Sequence, residues 1–145
     1  DSPFEIGKAY VLREGSDVAL MGTGTMTYQL LVLAELLSHQ GIEAEVVHVP
    51  TIKPLDKETI LTTARKTGRV ITAEEGQAAA GFGGAIAELL ADSLPMPILR
   101  LGIEDRFGES GPPIELLKKF GLTGETMLER VKPWLDQTPR YHQEY

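Results

Sequence analysis

Cysteine is absent from this chain. That excludes a disulfide framework, a thiolate nucleophile and a cysteine-ligated metal, and it is compatible with a reducing cytoplasm. Long apolar runs are missing as well: no segment approaches the roughly 20 residues that cross a bilayer as a helix, so no membrane role is expected. Basic charge is scarce. Lys and Arg number 14 against 21 Asp and Glu, for a formal net charge of -7, and the cations are scattered singly or in pairs such as Lys118 and Lys119. Nucleic acid is therefore not an expected partner, because a polyanion needs a concentrated basic footprint.

What is present is the composition of a soluble globular protein, 42% hydrophobic and 24% charged over 145 residues. That length suits one domain with a real core, expected over residues 1–137, followed by a polar tail over residues 138–145 that carries Pro139 and has no period. The tail is expected to fray or to lie on a neighbouring subunit. The chain opens Asp1-Ser2-Pro3-Phe4 without an initiator Met or a signal or transit pattern, which suggests a piece of a longer polypeptide.

Strand and helix periods alternate along the sequence. Lys8 to Arg13 reads as a short strand, and Glu14-Gly15-Ser16-Asp17 supplies a turn into Val18-Ala19-Leu20-Met21, so a hairpin is expected. Leu30, Leu31, Leu33, Ala34 and Leu37 then recur at helical spacing up to Gly41. Val46 to Val49 is the next strand, Asp56 stands at the N-cap of a helix through Lys66 and Gly68, and Arg69 to Ala73 is a further strand. A helix marked by Ile86, Leu89 and Leu90 leads to a last strand over Pro97 to Ile103. Two helices close the chain, one ending at Phe120-Gly121 and one opened by Thr123-Gly124-Glu125 and carrying Met127, Leu128, Val131 and Leu135 on its apolar stripe. The order βαβαβαβ predicts an α/β fold with mostly parallel strands, helices on both faces, and the first strand antiparallel at an edge.

Four places carry possible chemistry. Gly22-Thr23-Gly24 ends a strand before a helix, where free N–H groups attract anions, but Thr27 stands where a dinucleotide fingerprint has its third glycine, and tight-turn glycines explain the segment better. Glu74 and Glu75 are consecutive on a strand and point to opposite faces, so they cannot face each other as a carboxylate pair. One of them pointing inward either caps the helix after the Gly81-Phe82-Gly83-Gly84 turn or serves as an acid or base, with the cap favoured. Asp105 and Arg106 suit a polar ligand or a subunit surface equally. His39, His48 and His142 have no partner at metal-ligand spacing, and His48 is read as a hydrogen-bonded strand histidine rather than a catalyst. Ser110 lies outside any nucleophile elbow and reads as a turn or cap residue.

Several segments, in order, carry a family likeness: Phe4-Glu5-Ile6-Gly7-Lys8-Ala9, Leu12 to Val18, Thr51-Ile52-Lys53-Pro54-Leu55-Asp56, Thr72-Ala73-Glu74-Glu75, Gly81-Phe82-Gly83, and Asp105-Arg106-Phe107-Gly108-Glu109-Ser110-Gly111 followed by Glu115-Leu116-Leu117 and Gly121-Leu122-Thr123. Together they resemble the C-terminal domain shared by transketolases, deoxyxylulose-phosphate synthases and 2-oxoacid dehydrogenase beta subunits, over about Phe4 to Leu135, with transketolase nearest. One departure is Gly76, where many transketolases have His. The resemblance implies a three-layer α/β/α sandwich with a five-stranded mixed sheet. It also implies a parent that moves a two-carbon ketol unit between phosphosugars and acts as a homodimer. Thiamine diphosphate and magnesium would sit between preceding pyrimidine-binding and diphosphate-binding domains, leaving this domain with no catalytic, cofactor or metal residue. The alternatives are a partner-docking domain of the dehydrogenase or synthase type and a regulatory small-ligand domain.

Overall fold

The computed structural model describes residues 5–75, 81–103 and 112–142. Its strands are β1 (Tyr10–Arg13), β2 (Val18–Gly22), β3 (Ala44–His48), β4 (Val70–Glu75) and β5 (Ile98–Ile103). Interleaved with them are the helices α1 (Met26–Ser38), α2 (Lys57–Thr67), α3 (Phe82–Ser93), α4 (Ile114–Lys119) and α5 (Gly124–Gln137). The five strands lie in the order β1-β3-β2-β4-β5. β1 is antiparallel to β3, and every other pairing is parallel.

The mixed sheet with an antiparallel first strand is as expected, but the hairpin is not. β1 pairs with β3, Tyr10 opposite His48 and Val11 opposite Val47, with an irregularity before Arg13. The turn after β1 therefore crosses the start of β3 to reach β2. A side chain at Gly15 would collide with the backbone of Ala44, so only glycine lets the chain pass so close. Polar bonds hold the crossing, since Asp17 N–H donates to the Glu43 carbonyl at 2.9 Å, and Glu43 N–H donates to Asp17 Oδ2 at 2.7 Å. Turn residues alone could not distinguish this crossing from a hairpin, because both need the same glycine and polar spacing.

Each face of the sheet has its own core, as the alternation of strand side chains requires. On one face Val18, Leu20, Val46 and Ile71 pack with Met26, Leu30, Leu33 and Leu37 of α1 and with Met127, Val131 and Leu135 of α5. On the other, Ala19, Met21, Val47 and Val70 pack with Ile60 and Ala64 of α2 and with Phe82, Ile86 and Leu90 of α3. Burying each large apolar side chain contributes about 1.5–3 kcal/mol, so the paired cores are the main source of stability.

Local signals set the helix ends. Asp56 Oδ1 accepts from Thr59 N–H at 3.1 Å at the start of α2, and Gly68 closes that helix at φ 76°. Thr123 and Thr126 form a reciprocal capping box on α5. Gly41, at φ 81°, follows α1 where Ile42 N–H returns to the Leu37 carbonyl.

The described part of the tail, residues 138–142, makes bonds to the end of α2. Tyr141 N–H donates to the Gly68 carbonyl at 2.8 Å, and Arg140 Nε donates to the Thr67 carbonyl at 2.9 Å. Arg69 Nη1 reaches the Leu135 and Thr138 carbonyls at 3.0 and 2.7 Å, while its Nε donates to the Asp17 carbonyl at 2.8 Å. Residues 138–142 thus bond to the α2 end of their own chain. Peptide carbonyls recruit them, a signal that side-chain periodicity does not carry.

Candidate functional site

In an open α/β sheet the ends of the parallel strands and the helix starts beside them form the usual ligand edge. Here that edge brings together the glycine turn after β2, His48 at the end of β3 and Glu74-Glu75 at the end of β4. Register places Gly22 beside both His48 and Ala73. The sequence could not have paired these segments, since they become neighbours only through the strand order.

Gly22 ends β2, and Gly24 takes φ 60°. Thr25, at the α1 N-cap position, makes no side-chain cap and instead donates through Oγ1 to Glu75 Oε1 at 3.0 Å. A carboxylate therefore stands where the helix dipole would draw a phosphate. Deeper in, Thr27 Oγ1 lies 2.8 Å from His48 Nδ1. Burial disfavours the imidazolium and lowers the His48 pKa below 6.5. With Nδ1 as the acceptor, Thr27 holds the neutral ring with its proton on Nε2.

Glu74 and Glu75 diverge to separate partners. Glu74 is buried and caps α3: its Oε2 accepts from Phe82 N–H at 3.2 Å, and its Oε1 accepts from Gly83 N–H at 3.3 Å. This is the capping arrangement favoured from sequence. Gly83 lies at a crowded junction, where an added Cβ would stand 2.9 Å from Arg100 Nε, 2.9 Å from Glu74 Oε1 and 3.1 Å from Thr72 Oγ1. Thr72 Oγ1 is buried there without a hydrogen-bond partner. Thr72 and Glu74 are two apart on one strand and share a face, while Arg100 is Thr72's register partner on β5. Sequence reasoning missed Thr27, Thr72 and Arg100; the two-residue spacing of Thr72 and Glu74 was the available signal.

Of the other candidates, Gly81 is exposed at the start of α3. Asp105, Arg106, Ser110 and Gly76 lie outside the described residues. Among the described residues no three His, Asp or Glu side chains are grouped to hold a metal ion, and no helix is long and apolar enough to cross a membrane. Thiamine diphosphate with magnesium does not fit the described edge, because Glu75 faces the α1 N-terminus where the diphosphate would have to lie.

A five-stranded mixed sheet with helices on both faces is an α/β fold. The family described as "Transketolase, C-terminal domain" matches residues 7–127. The chain belongs to that family. A 6-deoxy-6-sulfo-D-fructose transketolase subunit of Clostridium sp. (strain MSTE9) is 47% identical over 125 residues, covering 86% of this chain and 39% of the relative. A 1-deoxy-D-xylulose-5-phosphate synthase of Trichormus variabilis (strain ATCC 29413 / PCC 7937) is also 47% identical, over 130 residues covering 89% of this chain and 20% of the relative. A solved split-gene transketolase, described as an inactive beta4 tetramer, superposes with TM-score 0.80 at 39% identity, covering 96% of this chain and 45% of that one. The chain thus spans well under half the length of each of these relatives.

Proposed function

We propose that this chain is the C-terminal scaffold and assembly section of a transketolase that moves a two-carbon ketol unit between phosphosugars, and that it turns over no substrate alone. The supporting observation is the fit to a split-gene transketolase chain over 96% of this one at 39% identity. Thiamine diphosphate supplies the carbanion chemistry of such a parent when bound, and its magnesium and contacts belong to preceding pyrimidine-binding and diphosphate-binding domains. This section's residues cap helices and present surfaces. The parent is a cytoplasmic homodimer in this proposal.

The test is isothermal titration of the 145-residue chain with thiamine diphosphate and magnesium beside a transketolase assay on the same sample. The expected result is no heat of binding and no turnover, and binding with turnover would sink the scaffold assignment. The synthase relative reaches the same 47% identity, which supports a second reading, in which the parent is a 1-deoxy-D-xylulose-5-phosphate synthase. Assaying the full enzyme for ketol transfer between phosphosugars in one arm and for formation of 1-deoxy-D-xylulose 5-phosphate in the other separates the two.

A further inference from the structure

On the α3 face of the sheet, β4 and β5 set four positions in a square. Thr72 pairs with Arg100 and Glu74 with Gly102 in parallel register, and residues two apart on a strand share a face. Three corners carry polar side chains, and the glycine corner carries none. The result is a cleft of about 270 Å³ lined by Glu74, Arg100, Leu101, Gly102 and Ile103. Glycines keep it open. A Cβ on Gly102 would stand 2.8 Å from Glu74 Cγ, and one on Gly83 would fill the gap that Arg100 Nε, Glu74 Oε1 and Thr72 Oγ1 share.

Two of those polar groups are unused by the fold. Among the described residues Arg100, which is exposed, has no hydrogen bond or ion pair, whereas Arg13, Arg69 and Arg140 all bond to neighbours. Thr72 Oγ1 is buried with no partner, although buried hydroxyls are normally bonded. A valine there would fill the same shape and leave nothing unsatisfied. Glu74 caps α3 through both oxygens, and a carboxylate keeps lone pairs beyond those two bonds.

The opposed charges select what fits between them. An anion drawn to Arg100 would stand against Glu74, and a cation drawn to Glu74 would stand against Arg100. A neutral hydroxyl meets both, because its oxygen accepts from a guanidinium while its proton goes to a carboxylate. We infer that this cleft binds a small neutral polyol. Arg100 donates to one hydroxyl, Glu74 accepts from it or from its neighbour, and Thr72 Oγ1 closes the network at the buried end. The cleft is smaller than sites for drug-sized ligands, which start near about 300 Å³, so the occupant has only a few carbons. This inference adds a ligand to the section described above as a scaffold, and it holds whether the parent is a transketolase or a synthase.

The experiment is an amide NMR titration of the 145-residue chain with erythritol, run beside acetamide as a neutral amide and inorganic phosphate as an anion. Erythritol is expected to move the Gly83, Gly84 and Gly102 amides along saturating curves. The dissociation constant should be on the order of 10 mM, weak because a small neutral ligand exchanges contacts with water for few new ones. Arg100→Met is expected to raise it at least about tenfold, and Thr72→Val at least about threefold, while Thr72→Val leaves the melting temperature no lower than wild type. A hydroxyl that served the fold would instead cost stability when removed. The amide spectrum of each variant shows that it folds. No saturable shift with erythritol, or the same shifts in wild type and in both folded variants, would overturn the proposal. So would a lowered melting temperature for Thr72→Val, or a stronger response of these amides to acetamide or to phosphate. Turnover in the thiamine titration sinks the scaffold assignment and leaves this site standing.

Discussion

The two ends of the sheet are built differently. At the amino edge, where β2, β3 and β4 begin, polar groups tie distant segments together: Arg69 reaches three carbonyls on two segments, and Asp17 exchanges bonds with Glu43. Glu45, nearly buried, accepts from Lys66 Nζ at 2.6 Å, Thr63 Oγ1 at 2.8 Å and Gly15 N–H at 3.2 Å. At the carboxyl edge Glu74 caps α3, Thr25 bonds Glu75 and Thr27 lies against His48, each joining one helix start to one strand end. One end concentrates its bonds on Arg69 and Glu45, each tying several segments at once, while the end that ligands use in related architectures carries helix starts and glycine turns.

If that contrast is real, the largest loss of stability belongs to the amino edge. Arg69→Met should cost about 3 kcal/mol in urea unfolding, because it strips the Asp17, Leu135 and Thr138 carbonyls of a charged donor at once. It should also loosen residues 138–142, seen as faster amide exchange at Tyr141, whose N–H bonds Gly68. Unchanged stability would mean that the apolar cores alone hold the edge.

Asp56 sharpens the comparison from the start of α2. Burial works against its charge, but bonds from the Ala9 N–H at 2.8 Å and from Thr59 outweigh it and leave the pKa below 3.8. Asp56→Ala should cost about 2 kcal/mol at neutral pH, since it removes a helix cap and a long-range acceptor together. A depressed carboxylate contributes in full above its unfolded value and loses that contribution as pH falls through the folded one. The difference between wild type and Asp56→Ala should therefore persist at neutral pH and shrink below pH 3.8. A difference that did not change with acid would show that packing, not charge, is what the substitution removes.

At the carboxyl edge Gly83 is a crowded position. Gly83→Ala should cost about 1–2 kcal/mol, because its Cβ would press on Thr72 Oγ1, Glu74 Oε1 and Arg100 Nε. Thr25→Ala, which removes only the exposed bond to Glu75, should change stability by less than about 0.5 kcal/mol. Thermal melts of the two variants side by side test whether this edge tolerates loss better than gain of a group.

Much of this was legible before the coordinates. Asp56 and Thr123 announced their helices, Gly68 announced an end, and the alternation of apolar segments set the parallel sheet, because these signals act within one turn or one strand. Glu74 as a cap was legible from its place before a glycine-rich helix start. The β1 pairing, the clamp of Arg69 on the tail and the meeting of Thr27 with His48 were not. Each depends on which segments the strand order makes neighbours, and that order is chosen by burial across the whole chain rather than by any local run.

The smallest expected effect tests the carboxyl edge most directly. His48 is half-buried, its Nδ1 lies 2.8 Å from Thr27 Oγ1, and burial lowers its pKa from 6.5. A base whose folded pKa is depressed binds fewer protons folded than unfolded in the window between the two values, so folding there is favoured as pH rises. Stability attributable to His48 should therefore be complete above 6.5 and decline as pH falls through that value toward the folded pKa. An NMR titration of the imidazole should show a midpoint below 6.5. Thr27→Val, which deletes the hydroxyl that donates to the neutral ring, should move the midpoint upward while leaving the fold intact. A midpoint that stays put would mean that burial alone sets it and that the Thr27 contact adds nothing to the neutral form; one that moves downward would mean that the hydroxyl favours the charged ring, reversing the tautomer assigned to this edge.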